Sequence, residues 1–280
     1  MLKKTVAFLG AGSMAEAMIS GMVASEKLPA DQIIVTNRQN KERLNELQMK
    51  YGIRAVQRDQ LDYTEVDLFI LAMKPKDVDD VLASIKDRVT EDQVVLSVMA
   101  GISTAYMEEN LKPSQQVIRV MPNTSSMIRE SSTAISPGKH VSLEEVTTAK
   151  TLLQSIGEVF VIKEEQMDVF TGIAGSGPAY FYHLMEHIEN AGSEAGLSKE
   201  MCREMGAQTI LGAAKMILQQ EDSPAELRKK VTSPNGTTAA GLQALREHGG
   251  GQAIYEAVKG AANRSKEMSR QLERPVALNK

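Results

Sequence analysis

The sequence has little of the features that mark secreted and membrane proteins. Its 280 residues include one cysteine, Cys202, so an intramolecular disulfide is impossible and a reducing environment is expected. No apolar run approaches the ~18 residues of a membrane span. The apolar run after Lys4 is also too short for a signal peptide. These absences predict a soluble, cytoplasmic protein without membrane association.

Excess positive charge is absent as well. The formal net charge is −4, so a general attraction to nucleic acid or anionic membranes is not expected. Metal ligands are also scarce, because His183 and His187 stand four apart with no third ligand in view, and no metal site is predicted. Any bound anion must therefore be held by backbone N–H groups or by a few local cations.

Residues 1–163 alternate between strand-like and helix-like segments. The strand-like segments are Thr5–Leu9, Ile33–Thr36, Leu68–Met73, Val94–Val98 and Val117–Val120, with Thr133–Ser136 and Glu158–Ile162 as further edge candidates. The helix-like segments are Ala15–Ser25, Lys41–Lys50, Asp77–Ile85 and Thr104–Asn110. Most strands are apolar throughout, as in a sheet covered on both faces. The pattern predicts an α/β fold, a Rossmann-type doubly wound and mainly parallel sheet.

Residues 164–280 lack β-branched runs and favour a C-terminal all-α domain. Met201–Leu218 is apolar nearly all round, which is typical of a helix buried on more than one side. In so small a domain the simplest burial partner is another subunit, so we expect a homodimer or a larger closed assembly. The alternative is a central helix within a monomeric bundle.

A dinucleotide-binding fingerprint follows the first strand directly. The segment Gly10–Ala15 has the pattern G-x-G-x-x-G/A between a strand and a helix. Gly10 permits a tight turn, Gly12 lets pyrophosphate approach, and Ala15 lets the helix pack closely. Ala11, Ser13 and Met14 complete the predicted cofactor loop, and the helix N-terminus offers N–H groups to the phosphates.

The end of the second strand bears on the choice of coenzyme. NAD-specific sites usually carry a carboxylate there for the ribose 2′-hydroxyl, but this strand ends at Asn37 and Arg38. Arg38 can pair with a 2′-phosphate, which favours NADPH, with NADH as the alternative. The other interpretation of Arg38 is a solvated surface arginine.

Two further strand ends should border the same crevice. Ala72, Lys74 and Pro75 follow one strand, and Asn123 follows another. Ligands of doubly wound sheets bind beyond the carboxyl ends of the strands, so all four are candidate cofactor ligands. The alternative is that Lys74 points to solvent and that Asn123 only stabilises a turn.

Two stretches of the helical half combine glycine with small hydroxyl residues. Gly172–Pro178 contains Ser176 and Gly177, and Thr232–Thr238 contains Ser233, Gly236 and Thr237. Each is predicted to be a loop before an exposed helix N-terminus, where N–H groups and hydroxyls bind carboxylates. The alternative is a pair of well-capped helices.

Together these motifs resemble the pyrroline-5-carboxylate reductase family over the whole chain. The matching segments, in order, are Gly10–Ala15, Asn37–Arg38, Lys74–Pro75, Met121–Thr124, Gly175–Tyr180 and Val231–Leu242. The last is the most specific, and it departs mildly from the family at Asn235, where many members have glycine. Asparagine also tolerates a positive φ.

The resemblance implies reduction of 1-pyrroline-5-carboxylate to L-proline with NADPH or NADH. It implies an α-helical dimerisation domain, and often a decamer built from dimers. The substrate carboxylate would bind N–H groups of Gly236, Thr237 and Thr238, with Thr238 as the catalytic residue at the ring nitrogen. One subunit would supply the nicotinamide and its partner much of the substrate loop.

Two other function classes remain open at this point. A β-hydroxyacid-type dehydrogenase would need a general base, typically a lysine on the first long helix of the second domain, and Phe181–Ala195 contains none. A non-catalytic NADP-binding sensor would bind the dinucleotide without turnover. It would have no evident need for the Ser233–Thr238 loop.

Overall fold

The computed structural model describes residues 2–272, and these contain one sheet of eight strands. The strands are β1 (Val6–Leu9), β2 (Ile33–Asn37), β3 (Arg54–Gln57), β4 (Leu68–Leu71), β5 (Val94–Ser97), β6 (Gln116–Met121), β7 (Ser131–Pro137) and β8 (Gly157–Val161). Their order is β3-β2-β1-β4-β5-β6-β7-β8. Strands β1–β6 pair in parallel, and β7 runs antiparallel to β6 and parallel to β8. This order confirms the doubly wound Rossmann-type fold.

Both faces of the sheet are buried, because successive apolar side chains point to opposite sides. In β1, Val6 and Phe8 belong to one apolar core, whereas Ala7 and Leu9 belong to the other. The covering helices are α1 (Ser13–Ala24), α2 (Lys41–Tyr51), α3 (Val78–Ile85), α4 (Thr104–Asn110) and α5 (Leu143–Leu153). Helices α1, α2 and α5 contribute to the first core, and α3 and α4 to the second.

Strand β3 is the element of this sheet that the sequence did not predict. All four of its residues, Arg54–Gln57, are half-buried, and the strand lies at the sheet edge next to β2. An edge strand with polar ends carries no apolar run, so the criterion that found its neighbours fails here. The two further segments predicted near residues 133 and 158 are confirmed as the strands β7 and β8. Of these two, only β8 lies at the sheet edge, because β7 pairs with both β6 and β8.

The rest of the described chain is helical. Its elements are α6 (Met167–Phe170), a π-helical turn (Thr171–Gly175), α7 (Gly177–Glu194), α8 (Lys199–Gln219), α9 (Pro224–Lys230), α10 (Thr237–Glu247) and α11 (Gly250–Leu272). By contacts, residues 177–259 form one compact unit, and residues 2–176 with 260–272 form the other. Met167 packs beside Met121 and Ala134 of the sheet, so α6 lies in the first unit. The domain boundary at residue 163 stays a prediction.

Helices α7 and α8 pack closely through glycines. A side chain at Gly192 would collide with Sγ of Cys202, and a Cβ at Gly206 would lie 2.6 Å from Met185 Cε. Cys202 is 3% exposed and is a small buried residue at this contact between the two helices. Cys202 and Gly206 are the buried residues of α8.

The apolar side chains of α8 are mostly exposed in the single chain. Those at least 45% exposed are Met201, Met205, Leu211, Met216, Ile217 and Leu218. Within residues 2–272, α8 is therefore not the central helix of a monomeric bundle. Among the same residues, no helix has the length and apolarity needed to cross a membrane.

Candidate active site

A cleft of about 620 Å³ lies at the carboxyl ends of β1, β2 and β4. It is lined by Gly10, Ala11, Gly12, Ser13, Met14, Asn37, Arg38, Arg58, Ala72, Met73, Lys74 and Asp77. These include every residue predicted to bind the cofactor except Pro75 and Asn123. The position is the one at which doubly wound sheets bind dinucleotides.

The two glycines of the fingerprint have different physical roles. Gly10 has φ +128°, and a Cβ there would collide with the carbonyl oxygen of Ala72. Gly12 is exposed and is the N-cap residue of α1. A Cβ at Gly12 would meet no atom within 4 Å. Ala15 is fully buried against the sheet. Gly10 is therefore required by the turn, whereas Gly12 leaves open space in front of the first N–H groups of α1.

The first turn of α1 carries one acid, Glu16, whose charge is compensated. Its carboxylate accepts hydrogen bonds from Lys50 Nζ at 2.8 Å, from Tyr51 Oη at 2.9 Å and from Arg43 Nη2. The hydrogen bonds from Lys50 and Arg43 lower the pKa of Glu16 from 4.5 to about 2. Arg43 Nε also donates to Ala11 O at 3.1 Å. The same cluster therefore anchors the glycine loop and neutralises the acid beside it.

The end of β2 carries no acid, as the sequence predicted. Asn37 Oδ1 accepts hydrogen bonds from the N–H groups of Gln39 and Asn40, both at 3.2 Å. The side chain of Arg38 is 49% exposed and pairs with Asp80 at 3.4 Å. A carboxylate that would repel a 2′-phosphate is thus absent from this strand end, and one cation stands near it.

Arg58 is a second cation of the cleft, and the sequence analysis did not identify it. It follows β3 directly and is half-buried. Among residues 2–272, its Nε is buried and has no hydrogen-bond partner. Burial and the charge of Arg38 lower the pKa of the Arg58 guanidinium. Only the unpredicted strand β3, beside β2, brings this side chain to the cleft.

The segment after β4 contributes backbone and one lysine. Ala72, Met73 and Lys74 line the cleft, and Lys74 is exposed. Pro75 begins a short 3₁₀ helix next to it and is not a lining residue. The role of Pro75 as a cofactor ligand stays a prediction.

Asn123 lies outside the cleft, in a buried turn. Its Oδ1 accepts a hydrogen bond from the Ser125 N–H, and its Nδ2 donates to Ala174 O, both at 3.0 Å. Asn123 therefore caps the short helix after β6 and joins it to the π-helical turn. Both ends of its amide are engaged, and its predicted contact with the cofactor or substrate stays a prediction.

The first glycine-rich stretch is helical, so its prediction as a loop was wrong. Residues Thr171–Gly175 form a π-helical turn in which the Ser176 N–H donates to Thr171 O at 2.8 Å. Because α6 precedes this turn and α7 follows it, the chain is helical from residue 167 to residue 194 except at Ser176. Gly177 therefore does not open a free helix N-terminus. Substrate contacts by Ser176 and Gly177 stay a prediction, and π-helical turns are frequent at functional sites.

The second glycine-rich stretch, Ser233–Thr238, is a turn that leads into α10. The Gly236 N–H donates to Ser233 O at 3.1 Å, and Asn235 between them has φ +58°. Proline followed by a residue with positive φ is the pattern of a type II turn. The structure thus confirms that asparagine accepts the positive φ at this position.

This turn engages one of the predicted donors and leaves two others at the start of a helix. The N–H of Gly236 donates within the turn to Ser233 O, and its predicted contact with the substrate carboxylate stays a prediction. Gly236 caps α10, and the N–H groups of Thr237 and Thr238 fall in the first turn, where helices leave donors unsatisfied. The Thr238 hydroxyl is half-buried beside these N–H groups. A hydroxyl and two N–H groups are available here.

Comparisons with known proteins match both parts of the chain. A family model described as pyrroline-5-carboxylate reductase dimerisation matches residues 164–268. A model described as NADP oxidoreductase, coenzyme F420-dependent, matches residues 5–101. Pyrroline-5-carboxylate reductase 1 of Bacillus subtilis strain 168 is 57% identical over 275 residues, which cover 98% of this chain and 93% of the relative.

Solved structures agree over nearly the whole chain. A pyrroline-5-carboxylate reductase from Coxiella burnetii has a TM-score of 0.87 at 31% identity, covering 96% of this chain and 99% of the other. Plasmodium falciparum pyrroline carboxylate reductase, solved with NADP bound, has a TM-score of 0.86 at 26% identity with the same coverage.

Proposed function

This chain belongs to the pyrroline-5-carboxylate reductase family, and we propose that it reduces 1-pyrroline-5-carboxylate to L-proline with NADPH, the last step of proline biosynthesis. The observation that carries the proposal is the 57% identity over 98% of the chain. So long a match includes both the dinucleotide cleft and the Ser233–Thr238 turn. The enzyme is an NAD(P)H-dependent oxidoreductase that acts on a C=N bond.

The residues of the cleft fit a dinucleotide phosphate. Gly12 leaves room for pyrophosphate at the N-terminus of α1, whose partial positive charge favours anions. Arg38 and Arg58 lie where the ribose 2′-position of the bound coenzyme would reach. When bound, the reduced nicotinamide supplies hydride to the imine carbon of the substrate.

The protein's own residues bind and orient the substrate and stabilise its protonated form. In this proposal the N–H groups of Thr237 and Thr238 bind the substrate carboxylate, and Ser233 borders the same turn. The Thr238 hydroxyl oxygen accepts a hydrogen bond from the protonated ring nitrogen, which keeps the imine in its reactive, charged form. A covalent nucleophile is not required. The main contribution of the protein to catalysis is to align the nicotinamide ring with the pyrroline ring of the substrate and to exclude water.

We further propose that the chain works as a homodimer, and that dimers assemble into a decamer. The exposed apolar side chains of α8 support the dimer, because such a surface is normally covered by a partner. The match of residues 164–268 to a dimerisation model supports it too. One subunit would then supply the nicotinamide and its partner the Ser233–Thr238 turn. A cytoplasmic location, which the single cysteine favours, completes the proposal.

The first experiment is an assay of NADPH oxidation, followed by its near-ultraviolet absorbance with 1-pyrroline-5-carboxylate and repeated with NADH. Rapid, substrate-dependent oxidation is the expected result. Absence of oxidation while NADPH still binds would contradict the proposal and favour the sensor. A β-hydroxyacid-type dehydrogenase is disfavoured, because α7 contains no lysine to act as base.

A further inference from the structure

Two arginines separate the dinucleotide cleft from a second cavity. That cavity has a volume of about 390 Å³ and is lined by Arg38, Gln57, Arg58, Asp59, Tyr63, Ser84 and Arg88. Arg38 and Arg58 line both spaces, whereas Arg88 lines only the second. Strand β3 pairs in parallel with β2, so Arg38 and Arg58 follow the carboxyl ends of adjacent strands. The coenzyme's ribose lies at this edge of doubly wound sheets.

The two arginines differ in how much of their charge is available. Arg38 is half exposed and already pairs with the exposed Asp80 at 3.4 Å, so solvent and a carboxylate both screen it. Arg58 makes no ion pair with a carboxylate among residues 2–272. Its Nε is buried without a hydrogen-bond partner. Within the described part of the chain, the half-buried Arg58 guanidinium therefore lacks the charged or hydrogen-bonding partner that buried charges normally have.

We propose that Arg58 is the main determinant of NADPH over NADH, holding the 2′-phosphate against its half-buried guanidinium while Arg38 assists from the solvent side. The planar guanidinium matches phosphate oxygens in a bidentate way that an ammonium cannot. Burial and, to a smaller extent, the charge of Arg38 lower the pKa of Arg58, and a phosphate between the two arginines would relieve the repulsion between them. The inference rests on the proposed function only in assuming an NADPH-dependent enzyme.

Arg88 provides a matched control for the experiment. Its guanidinium lies 4.1 Å from the centroid of the Tyr63 ring, so it is engaged by a cation–π contact. It lines the second cavity but not the cleft. Arg88→Gln removes the same charge from the same region without touching the coenzyme path.

The test compares Arg58→Gln, Arg58→Lys, Arg38→Gln and Arg88→Gln in two measurements. The first is the ratio of kcat/KM with NADPH to kcat/KM with NADH. We expect Arg58→Gln to lower this ratio about 10- to 100-fold, from the loss of charge-assisted hydrogen bonds. The ratio for Arg58→Lys should lie between those of the wild type and Arg58→Gln. Arg38→Gln should lower the ratio about two- to fivefold. Arg88→Gln should change it about twofold or less.

The second measurement is calorimetric binding of adenosine 2′,5′-bisphosphate and of adenosine 5′-monophosphate, which needs no turnover. Arg58→Gln should weaken the bisphosphate about 10- to 100-fold and leave the monophosphate unchanged. Equal loss of both ligands, or of both coenzymes, would assign Arg58 a structural role and overturn the inference. So would an Arg38→Gln effect as large as that of Arg58→Gln. A wild-type enzyme with no 2′-phosphate preference would overturn it too.

Failure of the reductase assignment would look different. No turnover of 1-pyrroline-5-carboxylate with either coenzyme would remove the proposed function. The binding measurements would still decide whether Arg58 holds the 2′-phosphate.

Discussion

Arg43 pairs with Glu16 across the first turn of the helix that opens the dinucleotide cleft, and the same guanidinium donates to Ala11 O. An acid beside a helix N-terminus that binds phosphate would weaken binding if it stood alone. Arg43, together with Lys50, compensates its charge and joins α1 to α2. The pair thus connects the packing of two helices with the position of the glycine loop.

This ion-pair cluster predicts a specific dependence of stability on pH. The pKa of Glu16 is lowered from 4.5 to about 2, so its stabilisation is fully present above pH 4.5 and is lost as the pH falls toward 2. Solvent screens part of the effect, since 22% of the Glu16 side chain is exposed. We expect Glu16→Gln to cost on the order of 1–2 kcal/mol at pH 7.

Urea denaturation at pH 7, 5 and 3.5 measures the difference between Glu16→Gln and the wild type. The difference should be the same at pH 7 and pH 5 and smaller at pH 3.5. Glu46→Gln is the control, because Glu46 also pairs with Arg43 but its side chain is 57% exposed. A difference that stays constant with pH would show that the charge of Glu16 is not the cause.

The two fingerprint glycines should respond differently to alanine. Gly12→Ala puts its methyl group into open space, so the free energy of unfolding should change by about 0.5 kcal/mol or less. The methyl group would obstruct pyrophosphate and raise the Kd for NADPH about tenfold or more. Gly10→Ala collides with the Ala72 carbonyl at a positive φ and should lower stability by about 2 kcal/mol or more.

Thermal unfolding and fluorescence titration with NADPH distinguish these cases. Unchanged NADPH affinity in Gly12→Ala would mean that pyrophosphate does not approach this backbone.

Thr238 should affect the reaction and not the binding of coenzyme. Its hydroxyl is half-buried at the start of α10. Thr238→Ala should lower kcat/KM for 1-pyrroline-5-carboxylate by about 10²–10³-fold, as for loss of a preorganised hydrogen bond to the reacting group. The Kd for NADPH should stay unchanged, and Thr238→Ser should retain most activity. Near-normal turnover in Thr238→Ala would remove the residue from the mechanism.

The exposed face of α8 predicts an effect on assembly. Leu211 is 46% exposed in the single chain, and Leu211→Glu should place a charge in the proposed dimer interface. Desolvating an unpaired charge is costly, so sedimentation should show dissociation into monomers. Leu143→Glu is the matched control, since Leu143 is 87% exposed on α5 in the sheet unit. Dimers that persist in Leu211→Glu would place the interface elsewhere.

Most of the sheet was predictable because its signal is local. Strands such as β1 and β5 are buried on both faces and carry an uninterrupted apolar run. Gly10 and Gly12 were recognised for the same reason, since their spacing follows a strand and opens a helix. A partly buried strand does not need an uninterrupted apolar run, so the strand at Arg54–Gln57 on the sheet edge was not predicted.

Composition also misled in one place. Gly172–Pro178 and Thr232–Thr238 have similar glycine and hydroxyl content, yet one holds a π-helical turn and the other a true turn before α10. Asn123, which lies 51 residues earlier in the sequence, donates a hydrogen bond to Ala174 O in the first segment. A helical turn and a loop can share a composition, so the sequence did not distinguish them.

The sequence by itself determined the cofactor loop, the lack of an acid after β2, and Asn235 at a turn position that needs a positive φ, because each depends on a few neighbouring residues. Only the tertiary structure decided which side chains meet around that loop. Arg58 reaches the cleft beside Arg38 through the pairing of β3 with β2. Arg43 reaches Ala11 through the packing of α2 against α1. Contacts between residues distant in sequence depend on register and burial, which no local pattern encodes.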